Sequence, residues 1–184
     1  MFKNAKMDSK KMTCQSKIVL AAASFAGVLC AQTASSRYAD LKKLYTPVKE
    51  NLQKMAEQMP EENYSFRPTP DMRTFGELMA HVADVQGSLC AAGMGTKKPP
   101  SPASLTAKND VVAALKASSE LCDAALDALT DATALQITPV RGLSRSGVLE
   151  FNYGHSEEEY GYGSVYMRLK SQVPPSTATA APHK

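Results

Sequence analysis

A chain of 184 residues with 43% hydrophobic positions is long enough to bury one ordinary core, and the absence of Trp leaves that core to Ala, Leu, Val and Met. The formal charge of +3 looks mildly basic, yet Lys3, Lys6, Lys10, Lys11 and Lys17 outweigh Asp8 and put a local +4 in residues 1–31, so the remainder carries −1. With that first segment set aside, nothing electrostatic points to nucleic acid.

The segment itself reads as a secretory signal. A lysine-rich start is followed by the apolar run IVLAAASFAGVLCA, of signal-peptide length. The run is shorter than the roughly 20 apolar residues that a membrane span needs. Residues 1–31 are therefore expected to be removed, with Gln32 opening the mature chain. Leu29 is a poor residue three before that cut, which leaves cleavage after Ala34 as an alternative. Cys30 raises a lipid anchor, but Leu29 is large where a small residue is wanted. The bland reading, a core helix over 18–31, sits badly with the lysines before it. The expected destination is the periplasm, with no membrane association beyond the signal.

The first mature helix is predicted over 36–59, where Tyr38, Leu41, Leu44, Tyr45, Val48, Leu52, Met55 and Met59 recur at three- and four-residue spacing. Pro47 should kink or split it, and Pro60 closes it. An extended connection with Pro68 and Pro70 follows, and Thr69 or Asp71 can cap the next helix. That helix is predicted over 72–92, with Phe75, Leu78, Met79, Val82, Val85 and Leu89 as its apolar stripe and His81 on the border. Gly93 and Gly95 end it. The Pro-rich TKKPPSPASLT suits a crossover. A third helix is predicted over 108–131. A fourth, capped by Ser144 or Ser146, runs from about 147 to 171. The stretch 173–184 has no core content and is expected to be a disordered tail.

No strand-like alternation persists, so the fold class is all-α: an antiparallel four-helix bundle over 36–172 with a Pro-rich crossover loop. Cys14 and Cys30 leave with the signal, and Cys90 and Cys122 remain. Neither sits in a CxxC, which excludes a zinc ribbon or a thioredoxin motif. They are either two small buried hydrophobes or a disulfide tying consecutive helices, the second being favoured by an oxidising compartment.

On the fourth helix, positions 148, 151, 152, 155, 159, 162, 166 and 169 share one face. Of the three consecutive glutamates, Glu159 is best aligned with it. A buried carboxylate needs a cation, a metal or a proton. His155 lies four residues earlier, close enough to grip the same ion. Spacing alone equally allows a core histidine beside a solvated acid.

The blocks YSFRPTPDMRTFGELMAHVADVQGSLCAA and RSGVLEFNYGHSEEEYGYGSVYMRLKSQVPPS resemble the DinB-like metal-binding superfamily, in its secreted bacterial branch. The resemblance implies a four-helix bundle that binds a divalent metal through one His of the second helix and an H-x3-H pair of the last. Carried over, the ligands are His81, His155 and position 159, where this chain has Glu in place of His. Two His and one carboxylate still form a ligand set, for zinc or as a ferrous facial triad. The resemblance places zinc or nickel ahead of iron. Asp84 and Glu158 are candidates for orienting the ligands. Tyr162 and Tyr166 either donate to a water on the metal or pack the core.

The implied function is that of a metal-dependent hydrolase or transferase acting on a small molecule. The alternative is a non-catalytic small-molecule or metal binder, or a stress-related dimeric helical module with a degenerate site. No Ser-His-Asp arrangement, P-loop or GxGxxG supports another enzyme class.

Overall fold

The computed structural model describes residues 38–178. The expected signal segment and residues 179–184 lie outside the described residues. Within them the chain is helical, and four long helices form the bundle.

Helix α1 covers 38–58. It buries Leu41, Tyr45, Val48, Leu52 and Met55, the three- and four-residue ladder expected of a core face. Leu44, one position off that ladder, is exposed. The helix runs unbroken through Pro47 rather than splitting there. Proline removes one intrahelical donor, and just before it the Thr46 hydroxyl donates to the Lys42 carbonyl at 2.8 Å. A short 3-10 turn, Glu61–Asn63, follows, and Tyr64 folds back to donate its hydroxyl to the Ala56 carbonyl at 2.7 Å.

Helix α2 spans Phe75–Met94. Its cap is Thr74, not Thr69 or Asp71, which bond to each other instead. The Thr74 hydroxyl accepts from the Glu77 N–H at 3.2 Å, and the Glu77 carboxylate accepts from the Thr74 N–H at 2.7 Å. This reciprocal box satisfies two donors that a helix start otherwise leaves orphaned. The helix ends at Gly95, whose φ of 73° is the left-handed conformation that glycine adopts without penalty. Gly93 lies inside the helix. A Cβ there would meet Leu149 Cδ2 at 2.8 Å, so its lack of a side chain sets how closely the helix that carries Leu149 approaches.

The Pro-rich segment is the crossover that the sequence predicts. It folds back along α2, where Lys98 pairs with Asp84 at 3.1 Å. Helix α3, Lys108–Asp127, therefore runs parallel to α2. Gln86 faces Ser118, whose hydroxyl donates to it at 3.0 Å, and one turn further on Cys90 and Cys122 form a disulfide with Cα atoms 4.9 Å apart. Helix α3 is antiparallel to α1: Lys42 pairs with Asp127 at one end, and Lys108 donates to the Met59 carbonyl at the other. It stops at Asp127, short of the expected 131, and the short helix α4, Asp131–Ala134, follows.

Helix α5, Arg145–Leu169, starts at Ser144, whose hydroxyl accepts from the Gly147 N–H at 3.1 Å. Its buried ladder is Leu149, Asn152, Ser156, Glu159, Gly163 and Met167, and of the expected face Val148, Asn152, Glu159 and Tyr166 are buried. Tyr162 and Leu169, expected inside, are exposed. The stretch 173–178 corrects the expected start of a disordered tail. Pro174 and Pro175 are buried, Pro175–Ala178 forms the short helix α6, and the Ser176 N–H donates to the Tyr160 hydroxyl at 2.9 Å.

Candidate metal centre

Two helices build the site. Helix α2, fixed by its capping box, delivers His81. Helix α5 runs antiparallel beside it and delivers His155 and Glu159 one turn apart. The imidazole Nε2 atoms of His81 and His155 lie 3.3 Å from each other, across 74 residues of sequence. Glu159 Oε1 is 3.4 Å from the His155 Nε2 and 3.7 Å from the His81 Nε2. Of the three consecutive glutamates only Glu159 is buried, with 6% of its surface exposed.

The three atoms fit an ion. A point equidistant from them in their plane lies about 2.0 Å from each, the length of a zinc–nitrogen or zinc–carboxylate bond. Tetrahedral bonds of about 2.1 Å place ligand atoms about 3.4 Å apart, within the observed spread. The remaining carboxylate oxygen, Glu159 Oε2, is buried without a hydrogen-bond partner. A buried carboxylate in that condition calls for a counter-charge. The group His81, His155 and Glu159 can hold a metal ion.

The electrostatics agree with that chemistry. Burial pushes both imidazoles below their ordinary pKa, helped by Arg73 at His81 and by His81 at His155. Neutral imidazoles keep the lone pairs that a cation needs. Burial also pushes the Glu159 carboxyl up, with Arg73 opposing. Two neutral rings and one charge-seeking acid are an incomplete set by themselves and a complete one around a cation.

The other residues singled out from the sequence are placed differently. Asp84 is tied to Lys98 rather than hydrogen-bonded to His81. Glu158 is exposed and accepts from the Tyr162 hydroxyl at 3.3 Å. Tyr166 packs in the core, and its hydroxyl donates to the Arg73 backbone carbonyl at 2.7 Å. His155 Nδ1 is buried without a partner, so no protein acceptor fixes that ring's tautomer in the way common for metal-bound histidine.

Two clefts open beside the ligand cluster. One, of about 580 Å³, is lined by Glu159, Tyr162, Tyr166, Leu78 and Arg73. The other, of about 390 Å³, is lined by His81, Glu77, Arg67 and Arg73. Arg73, common to both, is the residue that sequence reasoning missed. Its place directly before the Thr74–Glu77 capping box puts it at the α2 end nearest His81, but no sequence signal marks it as lining a cleft.

The sequence profile of the DinB superfamily matches residues 45–162. No curated protein matches the chain. Among solved structures, a DinB-like protein from Bacillus cereus ATCC 10987 shares 22% identity over 73% of this chain and 93% of its own, with a TM-score of 0.60. A DinB-like protein from Bacillus subtilis, YjoA, shares 17% over 78% of this chain and 96% of its own, with a TM-score of 0.58. A conserved protein from Enterococcus faecalis shares 14% over 70% and 94%, again with a TM-score of 0.58. At these identities the structural likeness is one of fold.

Proposed function

The chain belongs to the DinB superfamily, and on that premise we propose that it is a divalent-metal protein whose ion is held by His81, His155 and Glu159. The observation that carries this is the convergence of two imidazole nitrogens and one carboxylate oxygen within 3.7 Å of one another. Two imidazole nitrogens and one carboxylate oxygen accept zinc, nickel or ferrous iron, and it is the family resemblance that puts zinc and nickel ahead of iron. A divalent ion at this position supplies Lewis-acid chemistry to a small molecule entering from the flanking clefts. That role makes the protein a metal-dependent hydrolase or transferase.

The protein's own residues do the rest. Glu159 offsets part of the ion's charge. The neutral rings of His81 and His155 fix its position between two rigid helices. Leu78 and the Tyr166 ring contribute apolar lining to the larger cleft. A second reading, a binding protein without catalysis, is favoured by one fact. Among the described residues, no fourth His, Cys, Asp or Glu joins the cluster to act as a separate base.

Export to the periplasm belongs to the same proposal. The lysine-rich start and the apolar run support it, and the Cys90–Cys122 disulfide accords with an oxidising compartment. Among the described residues, no helix is long and apolar enough to cross a membrane.

The deciding experiment is metal analysis of the purified protein after incubation with zinc or nickel and desalting. One equivalent per chain is expected, with none in His155→Ala. Wild-type protein that emerges metal-free after both incubations would overturn the reading.

A further inference from the structure

We propose that Arg73 is the anion-recognition residue of this site, so that the small molecule it takes carries a carboxylate beside the group that meets the metal. The inference rests on the metal reading above and adds the chemical class of its ligand. Arg73 lines both clefts, the one bounded by Glu159 and the one bounded by His81. Its side chain is exposed, and its guanidinium makes no ion pair or hydrogen bond with another described residue, its charge reaching Glu159 and Glu77 only at longer range. Arg67, the other cation in the smaller cleft, is already paired with Glu77 at 3.6 Å.

The backbone at Arg73 is held from two directions. Its carbonyl accepts the Tyr166 hydroxyl from α5, and the next residue is the cap of α2. An arginine with a fixed root and an unengaged head, beside a metal site, is preorganised for a planar anion. Its fork matches a carboxylate with two parallel hydrogen bonds.

Among the described residues, the start of α2 offers no competing anion site. The N–H groups of Phe75, Gly76 and Glu77 at the start of α2 are taken by Phe66 O, Tyr64 O and the Thr74 hydroxyl. The helix terminus therefore offers no free donors, and recognition falls to the side chain. Asp71 also lines both clefts, but it is engaged by the Thr69 hydroxyl at 2.6 Å. With Glu159 balanced by a divalent ion, the larger cleft is net positive.

The test uses the full-length protein loaded with cobalt(II), whose visible absorption reports both uptake and ligand exchange. Two probes that bind a metal through the same ring nitrogen, and whose substituent cannot reach that metal, are titrated, 1-methylimidazole and imidazole-1-acetate. The carboxylate probe is expected to bind about tenfold more tightly, the worth of one charge-assisted hydrogen-bonded pair. Arg73→Gln is expected to take up cobalt at least as tightly, since a neighbouring positive charge is removed, and to lose the preference for the acetate. Arg73→Lys, which keeps the charge but not the fork, should retain part of it. Equal affinities in wild-type protein, or a preference that survives in Arg73→Gln, overturn the proposal and leave the metal site standing. A wild-type protein that takes up no cobalt overturns both. Unchanged thermal melting of the two variants establishes that they fold.

Discussion

His81 and His155 come from helices separated by the crossover, α3 and a further connection, yet their Nε2 atoms meet at 3.3 Å with the Glu159 carboxylate beside them. Two neutral rings and a buried acid in this arrangement gain little from one another without a cation. Added zinc or nickel should therefore stabilise the fold. At a free-metal concentration of 100 times Kd the gain is about 2.7 kcal/mol, readable as a rise in Tm. His155→Ala should abolish that rise. Glu159→His, which restores a three-imidazole set, should preserve it. In EDTA the ordering reverses at Glu159: replacement by Gln removes a buried charge and should raise Tm above wild type. A Glu159→Gln protein less stable than wild type in EDTA would show that the carboxylate has a protein partner after all.

The Cys90–Cys122 bond ties two parallel helices and closes a loop of 32 residues. Chain entropy alone gives such a loop about 3–4 kcal/mol of stabilisation. The double replacement by Ala should lower the unfolding free energy in urea by that order. Alkylation of the native protein without reductant should label neither cysteine, and two labelled thiols would contradict the bond.

Much of the fold is legible in the sequence. The apolar ladder of α1 follows directly from residue spacing, because large aliphatic side chains there both mark and fill the core. The face of α5 was harder. Its buried positions include Ser156, Gly163 and Ser164, while Tyr162, Val165 and Leu169 are exposed. A close helix–helix approach selects small residues, and a pattern search for bulk cannot see them. At Gly163 the space of a Cβ is taken by the Met55 side chain. The ligand set was legible through family resemblance rather than spacing. Arg73 was not legible, since nothing about a lone arginine before a helix reveals which cleft it will line.

The capping box at the start of α2 makes a pH-dependent contribution. The Thr74 N–H, as the largest influence, holds the Glu77 carboxyl below its ordinary range. A carboxyl whose pKa is depressed in the fold adds stability at pH above its unfolded value and loses it as pH falls through the folded value. Unfolding at pH 7 and in acid should thus differ more for wild type than for Glu77→Gln. Because Glu77 is about half exposed, solvent screening keeps the effect to about 0.3–1 kcal/mol. Thr74→Ala should lower stability by a similar amount at pH 7. Parallel pH profiles for wild type and Glu77→Gln would remove the charge from the account.

Export predicts a processed chain. Intact-mass analysis of protein recovered from the native cell should give an N-terminus at Gln32 or Ser35. A cytoplasmic chain beginning at Met1 would refute it.

The glycines of α2 and α5 provide a test of packing that is independent of the metal. In open helix interior, glycine costs about 1 kcal/mol relative to alanine. Gly161 is exposed, and a Cβ there meets nothing within 4 Å, so Gly161→Ala should stabilise by up to that amount. Gly93 should respond with the opposite sign. The same propensity gain applies, but its Cβ would lie 2.8 Å from Leu149 Cδ2 and 2.9 Å from Cγ, on a side chain that is only 2% exposed. Cγ cannot swing away as a chain end can, so α2 and α5 must separate or Leu149 must leave its rotamer. Overpacking of this kind costs about 1–3 kcal/mol, which outweighs the gain. Combining Gly93→Ala with Leu149→Ala distinguishes the clash from any intrinsic need for glycine. The pair should be less destabilised than the sum of the two single changes, because the second removes the atoms that the first strikes. Strict additivity in urea unfolding would mean that the two helices do not make this contact.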